Sequence, residues 1–140
     1  MSYVDTSCLV AYYAPERLSA IVAEEFAGQE LPAISPLVEV ELHSAVARKV
    51  RVKELDVADA TQILLMFRAH LADGYYRVVP IEAREYGLAR DWIGRFTTPL
   101  RTLDALHLAA AFTNDLEVLT TDKPMARAAQ HFGVKCRLIA

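Results

Sequence analysis

The feature that most constrains the fold is an alternation of short β-branched runs with longer helical stretches along the whole chain. Strands joined by helical connections run parallel, with right-handed crossovers. The pattern therefore predicts an α/β fold, in which helices cover both faces of a central parallel sheet of four or five strands. The predicted strands are 3–4, 33–34, 76–80, 117–120 and, as the weakest of the five, 134–139.

The predicted helices carry recognisable end signals. Ser35 before Pro36 and Asp56 before the helical stretch 57–71 are typical N-caps. The segment 101–113 is apolar on most sides, which predicts a buried helix. Four glycines follow apolar-periodic stretches, as left-handed C-terminal caps do. They are Gly28, Gly74, Gly94 and Gly133.

Length and composition exclude several classes of protein. A chain of 140 residues that is 54% hydrophobic predicts a single domain over residues 1–140 with a full core. No apolar run approaches the roughly 18 residues of a membrane span, and no signal-peptide pattern is present, so we expect a cytoplasmic protein without membrane contact. Cys8 and Cys136 lack the spacing of a disulfide framework or a zinc site.

Acidic residues fall where a parallel sheet places its ligand sites, beyond the carboxyl ends of the strands. Asp5 ends the first predicted strand, Asp122 follows the fourth, and Asp104 lies in the first turn of the buried helix. Taken singly, each of these residues is explained by capping of a helix. Their coincidence at one edge of the sheet favours a functional site.

Glu41 is harder to explain by capping. Counting from Pro36 places it in the second turn of its helix, beyond any capping position. Its neighbours one helical turn away are apolar, whereas polar residues flank Glu39. The periodicity therefore favours Glu41 as a candidate ligand and Glu39 as a surface residue.

Four converging carboxylates need a cation. At about 5 Å and an effective dielectric near 20, each pair repels by roughly 3 kcal/mol. Hard oxygen ligands with this much negative charge favour Mg²⁺ or Mn²⁺, and the lack of a compact His/Cys set argues against zinc. The acids therefore predict metal-assisted phosphoryl chemistry.

At these residues the sequence resembles the PIN-domain ribonucleases, most closely the VapC-type toxins of bacterial and archaeal toxin–antitoxin pairs. The resemblance covers the whole chain in order and spacing. Each motif alone is weak, but the ordered set is specific. The matching segments are VDTS (4–7), SPLVEVEL (35–42), LDALHLAAA (103–111) and LTTDK (119–123).

The resemblance implies a PIN-like fold, endonucleolytic hydrolysis of RNA and Mg²⁺ as the cofactor, with Mn²⁺ as a substitute. It implies that Asp5, Glu41, Asp104 and Asp122 are the catalytic and metal-binding acids, and that Thr120 is the hydroxyl that accompanies the last of them. Asp5 and Asp104 are then the main metal ligands, Asp122 a ligand or a water-orienting group, and Glu41 an outer-shell partner or a ligand of a second ion.

The resemblance also implies two protein partners, a VapB-like antitoxin and a second copy of the chain in a homodimer. Large apolar residues on the first two predicted helices, such as Tyr12, Tyr13 and Phe26, exceed what the core needs. The surplus is expected at the dimer face or in an antitoxin groove. Two alternatives stay open, an RNA-processing nuclease of the same fold without an antitoxin, and a non-catalytic scaffold.

The remaining polar residues receive weaker assignments. His107, three residues after Asp104, is expected to be a packed core residue rather than a metal ligand. A basic run at the end of the helix that carries Glu41 is expected to be a solvated face, with RNA contact the less favoured reading. Three further basic residues are expected near the site. The run is Arg48, Lys49, Arg51 and Lys53, and the three are Arg101, Lys123 and Arg127.

Overall fold

Five short strands form one all-parallel sheet in the computed structural model, which describes residues 1–140. Seven helices connect and cover the strands. The strands are β1 Ser2–Val4, β2 Ala33–Ile34, β3 Arg77–Val78, β4 Glu117–Thr120 and β5 Cys136–Leu138. The helices are α1 Thr6–Tyr13, α2 Ser19–Ala27, α3 Pro36–Arg51, α4 Val57–Ala72, α5 Ala83–Ile93, α6 Thr102–Thr113 and α7 Lys123–His131. The predicted α/β class is confirmed.

The order of strands across the sheet is β3-β2-β1-β4-β5. The chain leaves β1 towards β2 and β3, then returns across the sheet to β4 and continues to β5. Because the crossovers are right-handed, helices α1 to α4 cover one face and α5 to α7 cover the other, which gives the predicted three layers. The direction of travel reverses between β1 and β4, so the crevice of this fold opens at the carboxyl ends of those two strands.

Strands β1, β2 and β4 contain all the residues predicted for them, while β3 and β5 are shorter than predicted. At the edge of the sheet, β3 pairs only with β2, and Arg77 and Val78 are matched to the two residues of that strand. At the other edge, β5 pairs with β4 over Cys136–Leu138 alone. A strand on an edge extends only as far as its single partner does, which sequence patterning does not reveal.

Two of the four glycine caps are confirmed and two are wrong. Gly74 and Gly133 have φ values of +76° and +71°, the left-handed region that glycine reaches without strain. Gly28 and Gly94 have φ values of −84° and −69° and continue the right-handed turn. After α5 the left-handed residue is Phe96 instead, at φ 58°.

The other end signals have different outcomes. Asp56 caps α4 as predicted, because its side chain accepts the N–H of Asp59 at 2.7 Å. Ser35 occupies the N-cap position of α3, but its hydroxyl makes no capping bond. None of the seven helices combines the length and the apolar character that a membrane span requires.

The core is continuous from β1 to β5 and seats α3 on the sheet. Along α3, Val38, Leu42 and Val46 are fully buried, whereas Val40 is 67% exposed. This burial fixes the rotation of α3 about its axis. It therefore determines which way the intervening Glu41 can point.

We predict that Leu42→Ala lowers the free energy of unfolding by about 2–5 kcal/mol, since it opens a cavity under α3. The matched change Val40→Ala on the exposed side should alter it by less than about 0.5 kcal/mol. Chemical denaturation followed by circular dichroism measures both. Equal losses for the two variants would contradict the burial of this helix.

Candidate functional site

The crevice between β1 and β4 is closed at its base by a hydrogen bond between two side chains. Asp5 directly follows β1, and Thr120 is the last residue of β4. The Thr120 hydroxyl donates to Oδ2 of Asp5 at 2.7 Å. The same hydroxyl oxygen accepts the backbone N–H of Asp122 at 3.0 Å. Thr120 therefore links Asp5 and Asp122, two of the acids predicted for the site.

Asp5 is held by three donors in an environment that disfavours its charge. Only 3% of the residue is exposed. Oδ1 accepts the Ser7 hydroxyl at 2.6 Å and the Cys8 N–H at 3.2 Å, while Thr120 occupies Oδ2. Burial raises the pKa of Asp5, and these hydrogen bonds offset only part of the effect. The carboxylate is fixed in place, and a nearby cation would stabilise it.

Ser7 contributes to this arrangement, and the sequence did not single it out as a site residue. Besides donating to Asp5, its hydroxyl accepts the backbone N–H of Thr121 at 3.0 Å. It therefore ties the first turn of α1 to the loop after β4. The signal was present in the VDTS motif, where the serine follows the aspartate by two residues.

Glu41 projects from α3 towards α1 and α6, as the periodicity predicted. One of its oxygens, Oε1, accepts the Thr6 hydroxyl at 2.8 Å and is hydrogen-bonded to Nε2 of His107. Burial alone would raise the pKa of Glu41, but the hydrogen bonds from His107 and Thr6 outweigh burial and hold it below its usual value. Glu41 is therefore ionised at neutral pH.

A chain of buried hydrogen bonds continues from Glu41 into the core. Nδ1 of His107 lies 2.7 Å from the Tyr3 hydroxyl, which lies 2.8 Å from Oγ of Ser35. Burial raises the pKa of Tyr3, so its phenol keeps its proton. Since an ionised Glu41 only accepts, His107 donates from Nε2, and in a neutral imidazole Nδ1 then accepts from Tyr3. The Ser35 hydroxyl is thus directed at Tyr3 and makes no capping bond to α3.

Asp104 and Asp122 share a surface depression of about 390 Å³ with Glu41. Burial and the negative charge of Asp122 both raise the pKa of Asp104, and Glu41 adds to the effect. His107 and Arg101 act in the opposite direction. The depression therefore concentrates negative charge at the end of the crevice. Its lining is Glu41, Arg101, Thr102, Leu103, Asp104 and Asp122.

Helix capping accounts for only one of the three aspartates. Asp5 is the N-cap of α1 and bonds the N–H of Cys8. Asp122 occupies the N-cap position of α7 but makes no side-chain capping bond. The N-cap position of α6 belongs to Arg101, not to Asp104. Capping therefore leaves the placement of Asp104 and Asp122 beside Glu41 unexplained.

The donor set fits an oxygen-preferring divalent cation in its chemistry. Three carboxylates border the depression, and a fourth, Asp5, is linked to it through Thr120. No three His, Cys, Asp or Glu side chains gather as closely as a complete metal site does. The carboxylates that repel one another here are those that a cation would draw together.

The basic residues divide into two groups. Arg101 lines the acidic depression, as expected. Lys123 and Arg127 line a separate depression of about 530 Å³ beside β5, and Lys123 directly follows Asp122 in the chain. In the run at the end of α3, Lys49 pairs with Glu16 at 2.9 Å and with Glu54 at 3.2 Å, as a solvated face does. The other three residues of that run, Arg48, Arg51 and Lys53, are exposed.

The chain is similar to a known protein family and to several solved structures. The PIN domain family model matches residues 2–130. Among solved structures, VapC20 of Mycobacterium tuberculosis, described as a sarcin-ricin loop cleaving toxin, has 18% identity and a TM-score of 0.73, covering 91% of this chain and 95% of its own. VapBC2 of Rickettsia felis, bound to a promoter DNA fragment, has 17% identity and a TM-score of 0.68, covering both chains completely.

A toxin–antitoxin complex from Klebsiella pneumoniae has 20% identity and a TM-score of 0.65, covering 90% of this chain and 91% of its own. Among curated protein sequences, none is significantly similar to the chain. The structural likenesses show a shared fold.

We predict that Asp104→Asn raises the melting temperature in EDTA, because it removes a charge that Asp122 and Glu41 repel. A gain of about 1 kcal/mol corresponds to roughly 2–4 °C for a domain of this size. The matched change Asp91→Asn, on the exposed side of α5, should leave the melting temperature unchanged. Differential scanning calorimetry with EDTA and with Mg²⁺ measures both. Mg²⁺ should stabilise the wild type more than Asp104→Asn, and equal stabilisation would count against a metal at this site.

Proposed function

The chain belongs to the PIN domain family, and from that membership and the acidic depression we propose that it is a Mg²⁺-dependent endoribonuclease, the toxin of a toxin–antitoxin pair. The observation that carries the proposal is the placement of four acids at the carboxyl ends of β1 and β4. Asp5 is fixed there by three donors, while Glu41, Asp104 and Asp122 border one opening. Keeping four acids this close together has a cost in stability that metal binding would offset.

Asp5, Asp104 and Asp122 would hold the cation, which supplies an activated water and neutralises charge on the phosphate. Thr120 and Ser7 keep Asp5 in one orientation. Glu41, ionised at neutral pH, can accept a hydrogen bond from the attacking water through Oε2, the oxygen that neither Thr6 nor His107 occupies. Arg101 provides a positive charge on the rim of the depression for the RNA backbone.

We predict that the purified protein cleaves RNA with Mg²⁺ or Mn²⁺ and stops in EDTA. Asp5→Asn or Asp104→Asn should lower kcat/KM by orders of magnitude, because each removes a charge from the metal site. A labelled RNA substrate resolved on denaturing gels measures the cleavage. Undiminished cleavage in excess chelator, from a preparation without contaminating nuclease, would refute the proposal.

The same assay separates the two glutamates of α3. Glu41→Gln should reduce cleavage strongly, whereas Glu39→Gln, two residues away on the same helix, should be nearly silent. Glu39 does not line the acidic depression. Equal damage from the two substitutions would overturn the assignment of Glu41 to the site.

Two protein partners belong to the proposal, an antitoxin and a second copy of the chain. The similar structures include a toxin–antitoxin complex, which supports the first partner. The structure also leaves apolar surface on the first helices. Tyr12, 36% exposed, stacks on Phe26 with ring centroids 4.6 Å apart, and Ile21 is 42% exposed. A short neighbouring open reading frame for a DNA-binding protein would distinguish a toxin from a processing nuclease.

We predict a homodimer at micromolar concentrations by sedimentation velocity. Charge placed on the exposed face of α2 by Ile21→Lys should shift the protein towards monomer, because apolar contact is then lost. Val57→Lys on α4, where Val57 is 68% exposed, is the control. A wild type that sediments only as a monomer would contradict the dimer, and a dimer unaffected by Ile21→Lys would move the interface away from α2.

A further inference from the structure

We infer that His107 is a positioning residue, which together with Tyr3 holds Glu41 so that one carboxylate oxygen faces the acidic depression. The inference rests on the proposed function, because the orientation of Glu41 affects catalysis only if the protein is a nuclease. The prediction that His107 is a packed core residue is confirmed by its burial, and the inference adds a role for it there. Its basis is a continuous set of hydrogen bonds among residues from four separate elements of the fold.

His107 is 2% exposed and lies on the apolar helix α6. A buried imidazole with an unsatisfied nitrogen would cost free energy, so its presence here requires partners on both sides. Both partners are present, since Nε2 meets Glu41 and Nδ1 lies 2.7 Å from the Tyr3 hydroxyl.

Glu41 is oriented by Thr6 and His107. Its oxygen Oε1 receives both Thr6 and His107, whereas Oε2 has no partner within the chain. The side chain is 24% exposed, and Glu41 lines the acidic depression. Two donors on one oxygen fix the rotamer and leave the other oxygen available to a ligand. His107 therefore determines where that free oxygen points.

His107 is itself held in place by Tyr3, which is in turn hydrogen-bonded to Ser35. The Tyr3 hydroxyl is fully buried and lies 2.8 Å from Oγ of the equally buried Ser35. In a neutral His107 that donates from Nε2 to Glu41, Nδ1 accepts from Tyr3 and Tyr3 accepts from Ser35, which satisfies every group. Glu41 thus sets the tautomer, and Tyr3 holds the imidazole in place from its other nitrogen. This is the pattern by which outer residues orient the ligands of metal sites.

The substitution that tests the inference is His107→Met, which fills the space but removes the donor. We expect kcat for RNA cleavage to fall about 10- to 100-fold, the usual range for loss of an orienting partner, with KM little changed. His107→Gln, whose amide N–H can still donate to Glu41, should recover most of the loss. His43→Met is the control, since Nδ1 of His43 contacts only the Glu39 carbonyl of its own helix.

A double-mutant cycle distinguishes positioning from a structural role. In the Glu41→Gln background, His107→Met should cause little further loss, because its only route of action has been removed. Losses that multiply would show that His107 acts independently of Glu41 and would overturn the inference. Failure of His107→Gln to recover activity while its melting temperature matches the wild type would overturn it as well.

A second readout does not depend on cleavage. Proton–nitrogen NMR of the histidine side chains should show His107 of the wild type as the single tautomer protonated on Nε2. Tyr3→Phe should move the Nδ1 resonance, because Nδ1 loses its partner, and Glu41→Gln should move the Nε2–H resonance. A proton on Nδ1, or no response to Glu41→Gln, would refute the inference. If the wild type cleaves no RNA, the proposed function fails and this NMR comparison alone decides the role of His107.

Discussion

The hydrogen bond between Thr120 and Asp5 is the interaction on which the site depends. It joins the ends of the two central strands, β1 and β4, at the point where the chain reverses its direction across the sheet. A buried carboxylate without hydrogen-bond donors would cost much free energy. The fold can therefore keep Asp5 buried only if Thr120 and Ser7 lie beside it. The hydrogen bonds that shape the crevice are therefore the same ones that stabilise the buried carboxylate of Asp5.

The rest of the site consists of helices placed around that constraint. Helix α3 starts after β2 and is fixed in rotation by its buried face, which leaves Glu41 turned towards α6. Helix α6 lies on the opposite face of the sheet from α3. The contact between Glu41 and His107 therefore connects the two helical layers beyond the carboxyl ends of the strands. Charge repulsion among the acids acts against this closure, while the buried hydrogen bonds of Tyr3, Ser35 and His107 favour it.

Much of this was predictable from the sequence, because the relevant signals are local. Alternation of β-branched and helical runs gave the class and the central strands, and the end of a strand followed by aspartate located Asp5 and Asp122. The periodicity around Pro36 distinguished Glu41 from Glu39. The lengths of β3 and β5 were not predictable, since each depends on a single neighbour far away in sequence. Ser35 looked like a cap because its actual partner, Tyr3, is 32 residues away.

His107 shows why a pattern that reads as core can conceal a functional residue. Helix α6 packs between the sheet and α5, so almost every position along it must be apolar. A polar side chain is tolerated there only at the open end, as with Asp104, or where other elements supply partners, as with His107. A spacing of three residues places both on the same side of the helix, facing Glu41. Burial, which argued from sequence for a passive histidine, is the condition that lets its two hydrogen bonds hold one geometry.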